Sequence, residues 1–178
     1  MRSNIASNRA KLFGVGRMTA FGVGPRIVLF SLPYLALMVV LHVRWPGIFL
    51  MTANFHVAFV VVGGVLIAFG IGLWASGAKV IDRAFKEGRL LTTGVYGLVR
   101  HPMYSGILLF VIPGVALALR SWPLITIPLV MYLVFRILIK EEDAYLTEVF
   151  GLEYVDYRNR VNAVVPIPRF FGSRKRAA

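Results

Sequence analysis

The fold class this sequence predicts is an all-α, polytopic membrane helix bundle with about four transmembrane helices, and three observations predict it. The 178 residues are 58% hydrophobic, above the roughly 45–50% of ordinary soluble domains, and their mean hydropathy is +0.73. The apolar residues gather into four long windows. The lysines and arginines fall almost entirely on alternate sides of those windows.

The windows are roughly Ile27–Val43, about Phe55–Ala78, about Met103–Leu119 and about Pro123–Ile139. Several run to about 17 residues, the short end for ~30 Å of hydrocarbon. The first is not a secretory signal, since it has no small-residue cleavage site and further spans follow. Five cations precede it (Arg2, Arg9, Lys11, Arg17, Arg26). Five more lie between the second and third windows (Lys79, Arg83, Lys86, Arg89, Arg100), and eight lie from Arg136 onward. Only Arg44 and Arg120 occupy the other connections. The positive-inside rule then places both termini and the middle loop in the cytoplasm. All eight acids lie on that same side, so a polar or cofactor pocket belongs at the cytoplasmic face.

A net charge of +12 could suit nucleic acid, but the apolar windows make anionic lipid headgroups the expected partner. With no cysteine, there is no disulfide, thiolate metal site or thiol nucleophile. His42, His56 and His101 are too scattered for a zinc site.

In chain order, residues 1–26 read as a basic cytoplasmic arm. A GVG at Gly14–Gly16 lacks the strand–helix context of a phosphate loop. Residues 27–78 form the first two spans, with Pro33 a tolerated kink in the first. Gly64, Ala68, Gly72 and Ser76, four apart in the second, predict a helix-packing face. Thr92–Gly94 is a turn within the long polar connection Trp74–Pro102. Pro128 marks a kink or packing feature in the fourth span. Helical spacing continues through the acids to Phe150, breaks at Gly151 and resumes at about Tyr154–Arg160. Residues 169–178 are a basic tail.

One stretch concentrates polar groups at a span boundary. Pro102 suits the first position of a helix, and His101, preceding it, is pushed toward extended backbone. The third span therefore starts at about Pro102, with Arg100 and His101 just outside. The helix N-terminus favours anions, and Tyr104 falls on the same side of the first turn as His101. About 18 residues lead from Pro102 to Arg120, a turn at Ser121–Pro123 reverses the chain, and about 18 lead back to Glu141; each leg is ~27 Å. The return leg thus delivers Arg136, Glu141, Glu142 and Asp143 level with Arg100 and His101, and so short a hairpin predicts adjacent legs. Three acids near a helix C-terminus are unfavourable unless the helix continues or cations compensate. The plain alternative is a helix that runs on into solvent with its acids outward. The functional reading is a pocket with an anion end (Arg100, His101) and a cation end (Glu141 or Glu142), suited to a zwitterionic amino acid.

Leu90-Leu91-Thr92-Thr93-Gly94-Val95-Tyr96, then Arg100-His101-Pro102-Met103-Tyr104-Ser105-Gly106, then Glu141-Glu142, then Phe150-Gly151 with Tyr154, Tyr157 and Val161 follow one another in the chain. This order resembles the isoprenylcysteine carboxyl methyltransferase family and the related phospholipid N-methyltransferases, over about residues 79–168. The resemblance implies an integral membrane enzyme that uses S-adenosyl-L-methionine. It implies a core at 79–168 made of the cytoplasmic loop, the transmembrane hairpin and a C-terminal amphipathic segment. Carried over by position, the cofactor-binding residues are Gly88, Arg89, Leu90, Leu91, Tyr96, His101, Pro102, Met103, Tyr104 and Glu142. The prenylcysteine enzymes place a substrate arginine one turn before the cofactor glutamate; Leu138 stands there, and Arg136 is expected to substitute. Arg136, Arg100 and Glu141 are the residues expected to act on the acceptor, a lipidic small molecule entering from the bilayer.

The acceptor implied first is an isoprenylcysteine-type carboxylate. A phosphatidylethanolamine amine, which needs a base such as Glu141 or His101, and a small hydrophobic thiol are alternatives. A further alternative is an NADPH-dependent membrane reductase like the sterol reductases, with the phosphates on Arg89 and Arg100. A small transporter or assembly factor is the non-enzymatic alternative; its sign would be charges within spans, and no charge lies near a midplane.

Overall fold

The computed structural model of the chain describes residues 22–51 and 56–167. The expected basic arm up to residue 21, with its GVG, and the basic tail from residue 168 lie outside them. Five helices carry the architecture: α1 (Gly24–Arg44), α2 (His56–Glu87), α3 (Pro102–Ala118), α4 (Trp122–Phe150) and α5 (Leu152–Arg160). Three contain stretches long and apolar enough to cross a membrane: α1, the His56–Ile81 part of α2, and α4. The apolar windows of these three are mostly exposed, as surfaces facing lipid must be. α3 is the shorter apolar helix, ~26 Å long at 1.5 Å per residue. The all-α membrane bundle predicted from the windows is the fold observed.

α3 packs most extensively on α2, and α1 on α4. The α2–α3 contact corrects one expectation. Gly64 and Gly72 of the predicted packing face have open space where a Cβ would stand, and Ala68 and Ser76 are exposed. The close approach runs instead along Gly63, Gly70 and Gly77, spaced by seven. A Cβ on Gly63 would stand 2.6 Å from the Gly114 carbonyl oxygen, and one on Gly70 2.6 Å from that of Gly106. A Cβ on Gly77 would meet Met103 and Pro102 at 3.1 Å. A spacing of seven is two helical turns, which holds a face straight along a neighbouring helix. A spacing of four drifts around the helix. α3 adjusts to this contact through a π-helical stretch over Gly106–Val111, the segment that meets Gly70.

The predicted hairpin forms: Arg120 takes φ +52° at its tip, and the Ser121 side chain caps Leu124 N. Its two legs pack most closely near the turn. At the far end Ala116, Leu124 and Ile127 pack with Met38 of α1. At the charged end Leu108, Phe135, Leu138 and Ile139 pack with Val23, Ile27 and Val164. Pro33 lies within α1, whereas Pro128 sits in the first turn of the long part of α4, after a break at Thr126.

α4 continues well past the apolar window, because no glycine or proline interrupts it before Gly151 and Val149 and Phe150 still bury an apolar face. Gly151 then ends it with φ +60°, a conformation open to glycine at little cost. The chain turns back through α5, and residues 161–167 run beside the entry to α3. Arg100 N donates to Asn162 O (2.8 Å) and His101 N to Ala163 O (2.9 Å). Ser105 Oγ donates to Val164 O at 2.7 Å. This clamp fixes the Arg100–Ser105 segment against the end of α4.

Candidate active site

The three consecutive acids of α4 each find a different partner, and this arrangement builds the site. Successive helix positions point about 100° apart, so Glu141, Glu142 and Asp143 face three directions. Glu141 is exposed and pairs with Arg26 of α1. Asp143 turns toward the C-terminal clamp, where Arg100 Nη1 donates to its Oδ1 at 2.6 Å. Tyr154 Oη also donates to that oxygen. The same guanidinium donates to Tyr154 Oη at 2.9 Å and, through Nε, to Val161 O at 3.2 Å. The side chains of Arg100 and Asp143 are only 6% and 16% exposed.

Glu142, between them, points into the bundle. Its Oε2 accepts from Val23 N at 3.2 Å, and its Oε1 lies 3.4 Å from His101 Nδ1. Val23 is the N-cap of α1 and has no side-chain cap of its own, so a carboxylate from another helix supplies the cap. The positive end of α1 compensates for placing an acid late in α4. The Tyr104 hydroxyl lies against Glu142 and against the Val23 and Gly24 N–H groups. Gly22 takes φ +53°, and a Cβ there would collide with Glu142 Oε2 and come within 3.1 Å of Tyr104 Oη. A side chain at position 22 would have to displace this carboxylate.

Aromatic rings make the floor. His101 and Tyr104 stack at 5.4 Å, and Phe135 meets both edge-on at 5.7 and 5.4 Å. Burial and the adjacent Arg100 cation push the His101 imidazole down to about 3, so it is neutral near pH 7. Its Nε2 is buried and has no hydrogen-bond partner. Tyr96 is buried, its hydroxyl held above the ordinary phenol range by burial first and by the Glu142 charge second. Through its hydroxyl, which donates to Gly77 O at 3.4 Å, Tyr96 reaches the part of α2 that meets Pro102 and Met103. Its carbonyl accepts from Tyr157 Oη at 2.6 Å.

The structure thus brings together His101, Pro102, Met103, Tyr104 and Glu142, with Tyr96 nearby. Gly88 turns with φ +59°, and Leu90 packs on the Val149–Tyr157 cluster. Arg89 and Leu91 line a separate surface hollow. The three residues expected to act on the acceptor lie elsewhere. Arg100 is buried in the Asp143–Tyr154 network and Glu141 faces outward to Arg26. Arg136 stacks over Tyr132 on another flank of α4. Sequence reasoning missed Gly22, Val23 and Gly24. Their signal was a second GVG directly before a proline at a span boundary, which marks a close backbone approach at a helix start.

Beside Tyr104 an almost wholly apolar slot of about 270 Å³ opens between helices, lined by residues that include Gly24, Ile27, Trp74, Met103, Tyr104 and Leu108. Leu138, standing where a substrate arginine was expected, is 7% exposed and packs with Val23 and Ile27.

Fold and site together define a class: a multi-pass membrane protein with a buried carboxylate–histidine–tyrosine cluster where its helices end, next to an apolar slot. Residues 58–153 match the model of the phospholipid methyltransferase family, and the chain belongs to that family. It is 34% identical over 84 residues to protein-S-isoprenylcysteine O-methyltransferase B of Arabidopsis thaliana, covering 47% of this chain and 43% of that one. It is 36% identical over 77 residues to protein-S-isoprenylcysteine O-methyltransferase of Saccharomyces cerevisiae, covering 43% and 32%. The chain thus spans less than half the length of these relatives. No solved structure matches it.

The residues present fit S-adenosylmethionine, the methyl donor that the family implies. Glu142 offers a carboxylate to a cationic group, the orphaned His101 Nε2 offers a buried polar contact, and Tyr104 offers a ring face that attracts a cation.

Proposed function

We propose that this protein is an integral membrane methyltransferase that uses S-adenosylmethionine to methylate a hydrophobic acceptor, with an isoprenylcysteine-type carboxylate the first choice. One observation carries the reading: the Glu142–His101–Tyr104 cluster adjoins an apolar slot between helices. A charged cofactor and a lipidic acceptor need such neighbouring compartments. The names of the relatives support the acceptor, and family membership weighs against the reductase and transporter alternatives.

S-adenosylmethionine, when bound, supplies an electrophilic methyl group on a sulfonium. Glu142 binds the cofactor's positive charge, with its Oε2 anchored by Val23 N and its Oε1 turned toward His101. His101 and Tyr104, stacked on each other, would help hold the group there. Arg100 acts one layer back. Its bonds to Asp143, Tyr154 and Val161 hold the backbone that presents His101, so it is a positioning residue. The slot aligns the acceptor and excludes water, which are the chief contributions a protein makes when the donor is already activated. We place the site at the cytoplasmic face, the side on which cations cluster in the sequence.

A second reading is methylation of a phosphatidylethanolamine amine or a small thiol. The slot has no cation among its lining residues to receive a carboxylate, and Leu138 fills the position of the expected arginine. Methyl transfer from labelled S-adenosylmethionine to farnesylcysteine, phosphatidylethanolamine and a small alkyl thiol, measured side by side, tests both. Label in the farnesylcysteine ester supports the first choice. Label only in the amine or the thiol replaces it, and label in none rejects the methyltransferase reading.

A further inference from the structure

The groove that holds Arg136 shares no lining residue with the apolar slot and backs onto the Arg100–Asp143 pair. Its cavity, about 470 Å³, is floored by Tyr132, Phe135 and Ile139, walled by residues 162–165, and rimmed by Arg136, Lys140 and Arg158. The Asp143 carboxylate at its inner wall is already taken by Arg100 and Tyr154. Arg136 bonds the Tyr132 hydroxyl at 3.2 Å and lies over the Tyr132 ring. Among the described residues neither Arg136 nor Lys140 has a carboxylate partner. The two stand four apart on one helix, where like charges repel unless an anion sits between them. Toward the membrane, the same helix exposes Leu129, Leu133 and Ile137 at 63, 54 and 67%. Leu133 and Ile137 each stand three residues before Arg136 and Lys140, so the basic rim lies beside an apolar strip along α4, a strip whose own row ends at Glu141, held by Arg26.

We propose that this groove is a site for the phosphate of an anionic membrane glycerophospholipid, with the phosphate between Arg136 and Lys140 and an acyl chain along Leu129, Leu133 and Ile137. A guanidinium presents a planar fork to phosphate oxygens and an ammonium a point charge. The two together beside an apolar strip match a headgroup joined to its chains. The strip makes the source a lipid and not free phosphate.

The test uses the full chain in neutral detergent micelles, titrated with phosphatidylglycerol, phosphatidylcholine or inorganic phosphate, and reads retention of lipid by native mass spectrometry together with the thermal midpoint. The expected result is selective retention of phosphatidylglycerol with a raised midpoint. Each interfacial cation contributes about fivefold, so Arg136→Gln with Lys140→Gln should weaken retention ~30-fold. Lys79→Gln with Arg83→Gln removes the same charge elsewhere and should leave retention within about twofold. Equal loss in both double variants, equal retention of phosphatidylcholine, or a midpoint shift from inorganic phosphate that the groove variant abolishes would each overturn the proposal.

Discussion

Replacing Asp143 by alanine tests whether three adjacent acids perform three separate tasks. Asp143 and Arg100 are 16% and 6% exposed and meet at 2.6 Å. Removing the carboxylate leaves the guanidinium buried with Tyr154 Oη and Val161 O as its remaining acceptors among the described residues. Breaking a buried pair from one side costs about 3–5 kcal/mol. The retained neutral acceptors place this case at the lower end, about 3 kcal/mol, a large part of the ~5–15 kcal/mol that holds a typical domain together. The measurement is the thermal midpoint of purified protein in detergent, in a cycle with Arg100→Gln. Asp143→Ala should lower the midpoint strongly, and the double variant should recover part of the loss because no uncompensated cation remains. Glu141→Gln, which breaks only an exposed pair with Arg26, should change nothing resolvable. Equal effects at 141 and 143, or strictly additive effects in the cycle, would refute the reasoning.

Three further predictions follow from the packing. Gly22→Ala should destabilise by at least about 1–2 kcal/mol from left-handed strain alone and weaken cofactor affinity by displacing Glu142. Calorimetry and melting on one preparation read both. Gly70→Val should overpack the α2–α3 contact, at a cost of about 1–3 kcal/mol. Gly72→Val, facing open space, should melt like the parent; the reverse order would restore the four-residue stripe as the packing face. His101 is depressed to about 3 when folded and takes up a proton near its ordinary value of ~6.5 when unfolded. Its contribution to stability is therefore constant above pH 6.5 and falls as pH drops from there toward 3, by up to about 1.4 kcal/mol per unit. His101→Phe should flatten that part of a stability-versus-pH curve, and an unchanged slope would contradict the assignment.

The spans were legible because apolar windows and charge asymmetry are one-dimensional properties of the chain. The start of α3 was legible because proline and its predecessor constrain their own backbone. His101 does lie just outside the helix, but at φ −126° and ψ 68° its backbone is non-helical without being extended. The delivery of Glu142 to His101 was legible from two legs of equal length. Which acid would turn inward was not legible from spacing, which left Glu141 or Glu142, because three consecutive positions on one helix are distinguished only by what packs around them; the family resemblance alone pointed to Glu142. Arg100 was expected to face the pocket, but the Tyr154 hydroxyl and the Asp143 carboxylate reach it first. Both partners come from beyond residue 140, at a range that local spacing does not encode. The α2 packing face was misjudged because small residues at intervals of four and of seven coexist in that helix. Only Gly106 and Gly114 of the neighbouring α3 decide between them.

The proposed function rests on Glu142 as the residue that holds the positive charge of the cofactor. Calorimetric titration of S-adenosylmethionine into the purified parent protein and into Glu142→Gln tests this most directly, since glutamine keeps the shape of the side chain and removes its charge. The prediction is measurable binding to the parent and a loss of affinity of at least tenfold in the variant, about 1.4 kcal/mol, with Glu141→Gln unaffected. Equal affinity of parent and Glu142→Gln for S-adenosylmethionine would contradict it.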